Sequence, residues 1–123
     1  MVESIKILIV DDDPGIRLAL HDFLIQNGFT DVTAAANGYD ALVYLRSNTP
    51  QLIISDITMP QMDGYELSKS LRGQDTTREI PIIMVTTEAG DADRKAGLEA
   101  GVTTYLSKPI SPQRLLYEIE KLI

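Results

Sequence analysis

The chain has 123 residues, 44% hydrophobic and 24% charged, which is one ordinary domain with enough apolar side chains for a single core. It holds no cysteine, so disulfides, thiolate nucleophiles and thiolate metal sites are excluded. Lys plus Arg is 11 against 18 Asp plus Glu, and the net charge of -7 gives an acidic surface that repels nucleic-acid phosphate and argues against direct DNA binding.

The start, MVESIKILIVDDD, has no basic segment followed by a cleavable apolar stretch, so it is not a signal peptide. No apolar run approaches the length of a membrane span, and the expected setting is the cytoplasm, with no membrane partner. Residues 5–10 are a continuous apolar, β-branched run, which predicts a strand buried on both faces. Ile16, Ala19, Leu20, Phe23 and Leu24 then share one helical face, and Gly28 follows as a C-terminal cap. A weaker strand is expected over 32–36, followed by a helix whose stripe is Ala41, Leu42 and Leu45. Residues 52–55 predict the third strand, and residues 65–72 a helix with Leu67 and Leu71 inward. A fourth strand is expected over 80–85 and a fourth helix over 91–100, closed by Gly101. The last pair is a strand over 103–106 and a helix opened by Pro112, with Leu115, Leu116, Ile119, Leu122 and Ile123 on its apolar stripe.

Strict alternation of strand and helix, five times over, predicts an α/β fold: a five-stranded parallel sheet with helices on both faces. Right-handed crossovers leave the flavodoxin-like order 2-1-3-4-5 as the natural topology, with strands 1 and 3 adjacent and a site outside the strands' carboxyl ends. No linker, repeat or second domain interrupts the chain.

Chemistry-bearing residues stand at those ends. Strand 1 ends in Asp11-Asp12-Asp13, strand 3 in Asp56, strand 4 in Thr86-Thr87 and strand 5 in Ser107-Lys108-Pro109. Each has a plain reading when taken alone. Asp13 before Pro14 is a helix N-cap with proline at the first helical position. Asp11 or Asp12 is a solvated loop acid, Thr86 a strand residue and Lys108 a surface lysine. Their joint placement argues otherwise. Clustered carboxylates repel unless a cation neutralises them, and oxygen-only donors suit a hard cation such as Mg²⁺ that works with phosphate. With lysine and threonine beside them, these are the parts phosphoryl transfer needs, and a central carboxylate can itself be the nucleophile.

The segments ILIVDDDP, LIISDITMPQMDGYEL, IPIIMVTTEA and AGVTTYLSKPI closely resemble the signatures of response-regulator receiver domains, in order and at family spacing over essentially the whole chain. The resemblance implies a CheY-like receiver fold over residues 1–123 and a set of roles. Asp56 is the phosphorylated aspartate. Asp12 is a direct Mg²⁺ ligand, Asp11 holds a metal-bound water, and the backbone carbonyl of Thr58 completes the metal contacts. Lys108 contacts the phosphoryl group, with a cis Lys108-Pro109 peptide. Thr86 is the switch hydroxyl and Tyr105 the switch aromatic, although Tyr105 also reads as an ordinary half-buried strand residue. Met59, Pro60 and Gly64 shape the loop behind Asp56, Gly64 by a backbone conformation that a side chain resists.

Other residues have simpler readings. Met59 and Met62 are packing rather than chemistry, and Asp63 is a turn or cap residue. Thr58 and Glu88 flank the site entrance, or Glu88 is a solvated loop acid. His21 faces solvent on the outer side of the first helix, and the phosphohistidine of this chemistry sits on the partner. Asp91 and Asp93 favour the dipole at a helix start. Two features depart from the family pattern. Thr87 brings bulk where the smallest side chains are common, and Thr103-Thr104-Tyr105 lacks the paired acids that DNA-binding subfamilies use to dimerise, which favours a monomer over a dimer.

The implied partners are a sensor histidine kinase or phosphotransfer protein upstream and a protein target downstream. The VTTEAG stretch is similar to the chemotaxis subgroup, and the starting methionine favours a stand-alone regulator; a phosphorelay intermediate or a receiver from a larger regulator is the alternative. A haloacid-dehalogenase-like phosphatase is a rival, since Asp11-x-Asp13 fits its D-x-D motif. It lacks support because the only acids after Lys108 are Glu118 and Glu120 in a surface helix. A flavodoxin-type flavin module is disfavoured because three aspartates stand where the flavin phosphate would lie. A degenerate receiver acting only by docking is disfavoured by the full complement of site residues.

Overall fold

The computed structural model describes residues 5–87 and 91–123, the side chains of residues 91–93 apart. Five strands, β1 (Lys6–Val10), β2 (Asp31–Ala35), β3 (Leu52–Asp56), β4 (Ile82–Thr86) and β5 (Thr104–Ser107), alternate with five helices. These are α1 (Pro14–Gln26), α2 (Gly38–Leu45), α3 (Gly64–Arg72), α4 (Asp91–Glu99) and α5 (Pro112–Leu122). All strand pairs are parallel, in the order β2-β1-β3-β4-β5, the expected flavodoxin-like topology.

The pleat explains why the central strands are apolar without interruption. Alternate residues serve two cores. Ile7, Ile9, Leu52, Ile54, Ile83 and Val85 pack with Leu20 and Leu24 of α1 and Leu115 and Ile119 of α5. Leu8, Val10, Ile53, Ile82 and Met84 pack on the other face with Ala41 of α2 and Leu67 and Leu71 of α3. β3 and β4 are buried throughout, whereas the edge strands β2 and β5 are half-buried.

Caps fix the helices at the edge of the site. The Asp13 carboxylate accepts from the backbone N–H groups of Gly15 and Ile16 ahead of Pro14. Asp63 makes a capping box with Glu66, which confirms its cap reading. Gly28 and Gly101 adopt φ of +96° and +88° after α1 and α4, as helix-ending glycines do.

Several strand limits lie one or two residues from the expected ones. β4 begins at Ile82 because Pro81 has no N–H to give a ladder and the Ile80 N–H is used on the Thr77 carbonyl, at 3.2 Å. β2 and β5 are displaced by one residue, β2 toward the N-terminus and β5 toward the C-terminus, and Ile5 lies outside β1. Ala19 is exposed rather than inward, and Ile123 lies past the end of α5 and is exposed. His21 keeps its side chain 39% exposed, in keeping with a solvent-facing position, and lies 3.2 Å from the Asp22 carboxylate. Glu118 is buried, flanked by Arg114 at 3.1 Å and Lys121 at 3.5 Å, so it is not a surface acid.

Arg72 joins distant segments. Its guanidinium donates to the carbonyls of Gly101 (2.9 Å), Arg78 (2.9 Å) and Ile80 (2.7 Å), tying the end of α3 to the turns before β4 and β5.

Candidate functional site

Strand register brings the acids together. Val10 of β1 pairs with Ser55 of β3, so Asp11 and Asp56 follow at one level on adjacent strands. Asp11 and Asp56 are buried and Asp12 is exposed. One carboxylate oxygen from each of the three lies within 4.8 Å of the others. Asp11 is fixed on every side: its N–H donates to the Ala35 carbonyl at 3.1 Å, its Oδ1 accepts from the Asp13 N–H at 2.9 Å, and the Arg17 guanidinium donates to its carbonyl at 2.8 Å. Asp56 Oδ1 accepts from the Ile57 N–H at 2.8 Å, and the Ser55 hydroxyl donates to the Asp56 carbonyl at 2.9 Å.

Lys108 reaches in from the loop after β5. Its N–H donates to the Thr86 carbonyl at 2.8 Å, and its Nζ lies 3.3 Å from Asp11 Oδ2 and 3.5 Å from Asp56 Oδ1. The Lys108-Pro109 peptide is cis, as expected. Thr86 is buried at the end of β4, while Thr87 and Thr58 are exposed beside the acids' strand ends. Tyr105 is half-buried in β5, its hydroxyl hydrogen-bonded to that of Tyr65 at 2.5 Å. Met59 is buried and Met62 half-buried in the core under α2 and α3, in keeping with packing. Glu88 lies outside the described residues, and so do the side chains of Asp91 and Asp93.

The loop from β3 to α3 differs from expectation in two ways. The residue with left-handed backbone is Gln61, at φ 71°, not Gly64. Gly64 is required by close approach instead: a Cβ there would stand 2.4 Å from the Asp56 carbonyl oxygen. Sequence reasoning also passed over Arg17 and the Lys108 pairing to Asp11. The signal for Arg17 was its place one turn into a helix that starts at the acidic loop.

Burial pushes the Asp56 carboxyl above its usual range. The Lys108 ammonium opposes this, the neighbouring Asp11 charge adds to it, and the Ile57 N–H opposes it. The folded state therefore binds the Asp56 proton more tightly than the unfolded chain does. Its stability falls as pH rises from the ordinary aspartate range through the raised folded value, then levels off. Asp56→Asn removes that loss. In metal-free buffer at pH 7 the variant is expected to melt a few degrees above the wild type, with the gap closing in acid. Thermal melts across pH check this, and a variant that melts lower at pH 7 contradicts it.

Three clustered carboxylates, two of them paired with Lys108, leave an excess of negative charge in an all-oxygen cluster open on the Asp12 side. That donor set fits a hard divalent cation. No helix among the described residues is long and apolar enough to cross a membrane.

A family model described as the response regulator receiver domain matches residues 7–120. The chain belongs to the response regulator receiver family. This receiver is 40% identical over 116 residues to the chemotaxis protein CheY1 of Helicobacter pylori, covering 94% of each chain. It is also 40% identical over 115 residues to the response regulator Rre1 of Synechocystis, where it spans 94% of its own length but only 50% of the relative's. The crystallised chemotaxis protein CheY4 of Vibrio cholerae superposes with a TM-score of 0.91 at 35% identity, over 97% of this chain and 98% of that one. The receiver domain of the sensor histidine kinase PA1611 of Pseudomonas aeruginosa, solved with a magnesium ion in its active-site cleft, superposes with a TM-score of 0.87 at 31% identity over 95% of each chain. As a family member the receiver is a switch that catalyses only its own phosphorylation and dephosphorylation, not a general enzyme. The phosphatase and flavin-module readings give way to it.

Proposed function

We propose that this chain, a receiver unit over residues 1–123, accepts a phosphoryl group on Asp56 from the phosphohistidine of a sensor histidine kinase or phosphotransfer protein, and then changes shape to control a protein partner. The carrying observation is the meeting of Asp11, Asp12 and Asp56 within 4.8 Å, with Lys108 Nζ 3.5 Å from Asp56. An Asp56 carboxylate oxygen attacks phosphorus in line. A P–O bond forms as the P–N bond breaks, and the imidazole leaves with the electron pair. Mg²⁺ held by Asp11, Asp12, Asp56 and the Thr58 carbonyl would supply charge neutralisation for the phosphoryl oxygens, a reading supported by the magnesium in the PA1611 receiver. Lys108 exchanges part of its carboxylate pairing for a phosphoryl oxygen. An open apolar groove of roughly 500 Å³, lined by Ile16, Leu20, Phe23, Pro109, Ile110 and Leu115 and reaching Lys108, suits docking of the donor beside the site.

The Thr86 hydroxyl then turns toward the phosphoryl group, Tyr105 settles inward, and the face made by α4, β5 and α5 is remodelled. This is a population shift driven by new charge-assisted contacts. Water attack on phosphorus resets the switch. Thr58 and Glu88 tune that step, so exchanging the pair is expected to alter the phosphoryl lifetime several-fold; an unchanged decay of the phosphorylated form defeats the idea. The near full-length match to CheY1 supports a chemotaxis-type output through protein docking. The acidic net charge of -7 disfavours direct contact with nucleic acid, and the reading is of a cytoplasmic monomer. The Rre1 match supports the second reading, a receiver working within a larger regulator or a phosphorelay.

Incubation with acetyl phosphate tests the proposal by intact mass. The wild type should gain one phosphoryl group with Mg²⁺ and none in chelator, and Asp56→Asn should gain none. Equal uptake by both proteins refutes it.

A further inference from the structure

Tyr105 is surrounded by side chains of its own chain. It stands in β5 opposite Met84 of β4, and its ring packs together with Tyr65 against the core under α2 and α3. The Tyr65 phenol, in the first turn of α3, lies 2.5 Å from the Tyr105 hydroxyl. The Arg94 guanidinium of α4 lies over the Tyr105 ring, 5.5 Å from its centroid. Gly97 of the same helix passes so close that a Cβ there would fall 2.8 Å from Tyr105 Cε2 and 3.6 Å from Tyr65 Cε1. Glycine is disfavoured inside a helix, and the approach of this ring gives a reason for it here.

β5 is an edge strand, and the contact places the Tyr105 ring on its α3 side, beneath Gly97 of α4, which is the inward position of the proposed switch. Thr86 follows Ile82 and Met84 in strand parity and so shares the sheet face on which Tyr105 packs.

We propose that Tyr65 is a positioning residue for the switch: its hydrogen bond to Tyr105, made in the space Gly97 leaves, holds the ring inward and biases the unphosphorylated protein toward the arrangement that the phosphoryl group favours. This rests on the reading of Asp56, Thr86 and Tyr105 given under the proposed function. A neutral hydrogen bond of ordinary net strength shifts a two-state population about five-fold. If acceptance runs through the inward state, its population scales the rate, so losing the bond slows acceptance by up to that factor.

The test uses the full chain labelled with ¹³C at the tyrosine ε positions, in the presence of a soluble gadolinium chelate. Tyr105→Phe assigns the Tyr105 signal. Tyr65→Phe keeps the ring and removes only the hydroxyl. It should raise paramagnetic relaxation of the Tyr105 signal in the unmodified protein, leave Tyr39, Tyr44 and Tyr117 unchanged, and slow uptake from acetyl phosphate by up to about five-fold. Gly97→Ala, which keeps the hydroxyl but fills the space, should move both readouts the same way. Unchanged Tyr105 relaxation in Tyr65→Phe overturns the proposal, and so does raised relaxation with an unchanged rate. If the wild type itself takes up no phosphoryl group, the Asp56 reading and the bias fall together, while the relaxation arm still decides whether Tyr65 positions Tyr105.

Discussion

Lys108→Met is expected to destabilise the metal-free protein by about 3 kcal/mol at pH 7, because it removes one partner from a buried charge cluster and leaves the rest uncompensated. The side chains involved are well shielded: Lys108 is 17% exposed, Asp11 4% and Asp56 10%. Water therefore does little to replace the ammonium. With its lowering influence gone, the Asp56 carboxyl rises further above its usual range. The deficit should thus be greatest at neutral pH and shrink in acid, where Asp56 takes up a proton and the folded state is relieved. A divalent cation should restore much of the loss, since it supplies to the cluster the positive charge that the lysine no longer does. Urea denaturation at pH 7 and pH 4, with and without Mg²⁺, reads all of this. A variant as stable as the wild type, or one indifferent to Mg²⁺, contradicts the account of the cluster as an electrostatic unit.

The second large effect is expected from Gly64→Ala. The added Cβ meets the Asp56 carbonyl oxygen at 2.4 Å, Met84 Sδ at 2.9 Å and the Ile57 Cα at 3.0 Å. Two of these are backbone atoms of the residues that position the acceptor, and the Gly64 N–H is itself bonded to the Ile57 carbonyl at 2.8 Å. Relief requires the loop to move away from β3. The substitution should cost about 3 kcal/mol, in the range of severe overpacking. An acceptor displaced by such a shift should accept phosphoryl on the order of a hundredfold more slowly. Denaturation and acetyl-phosphate kinetics on the folded fraction separate the two losses. A stable variant with normal uptake would show that the close approach places no constraint on Asp56.

The alternating pattern and the acids at strand ends made the sheet order and the cluster legible, because both follow from period and register. Asp13 and Asp63 announced their caps through short-range spacing, and the structure bears them out. What stayed hidden depends on contacts distant in sequence. Arg72 finds its acceptors in two separate turns, one just before β4 and one just before β5, which only the folded sheet brings together. The Tyr65–Tyr105 contact joins residues 40 positions apart, and no local pattern marks it. Glu118 looked like a surface acid because helical spacing alone does not show that Arg114 and Lys121 fold over it. Gly64 was rightly singled out but for the wrong cause. A glycine in a loop suggests an unusual backbone, whereas the unusual backbone belongs to Gln61, and Gly64 answers a steric demand from β3.

Asp56 should carry the phosphoryl group as an acyl phosphate. Borohydride reduction of the acetyl-phosphate-treated protein, followed by peptide mass mapping, tests it most directly, since hydride converts a phosphorylated aspartate to homoserine and leaves a free carboxylate intact. Homoserine should appear at position 56 in the Mg²⁺ sample, with unmodified aspartate at 56 in the chelated control. Homoserine at Asp11, Asp12 or elsewhere, with Asp56 untouched, would contradict it.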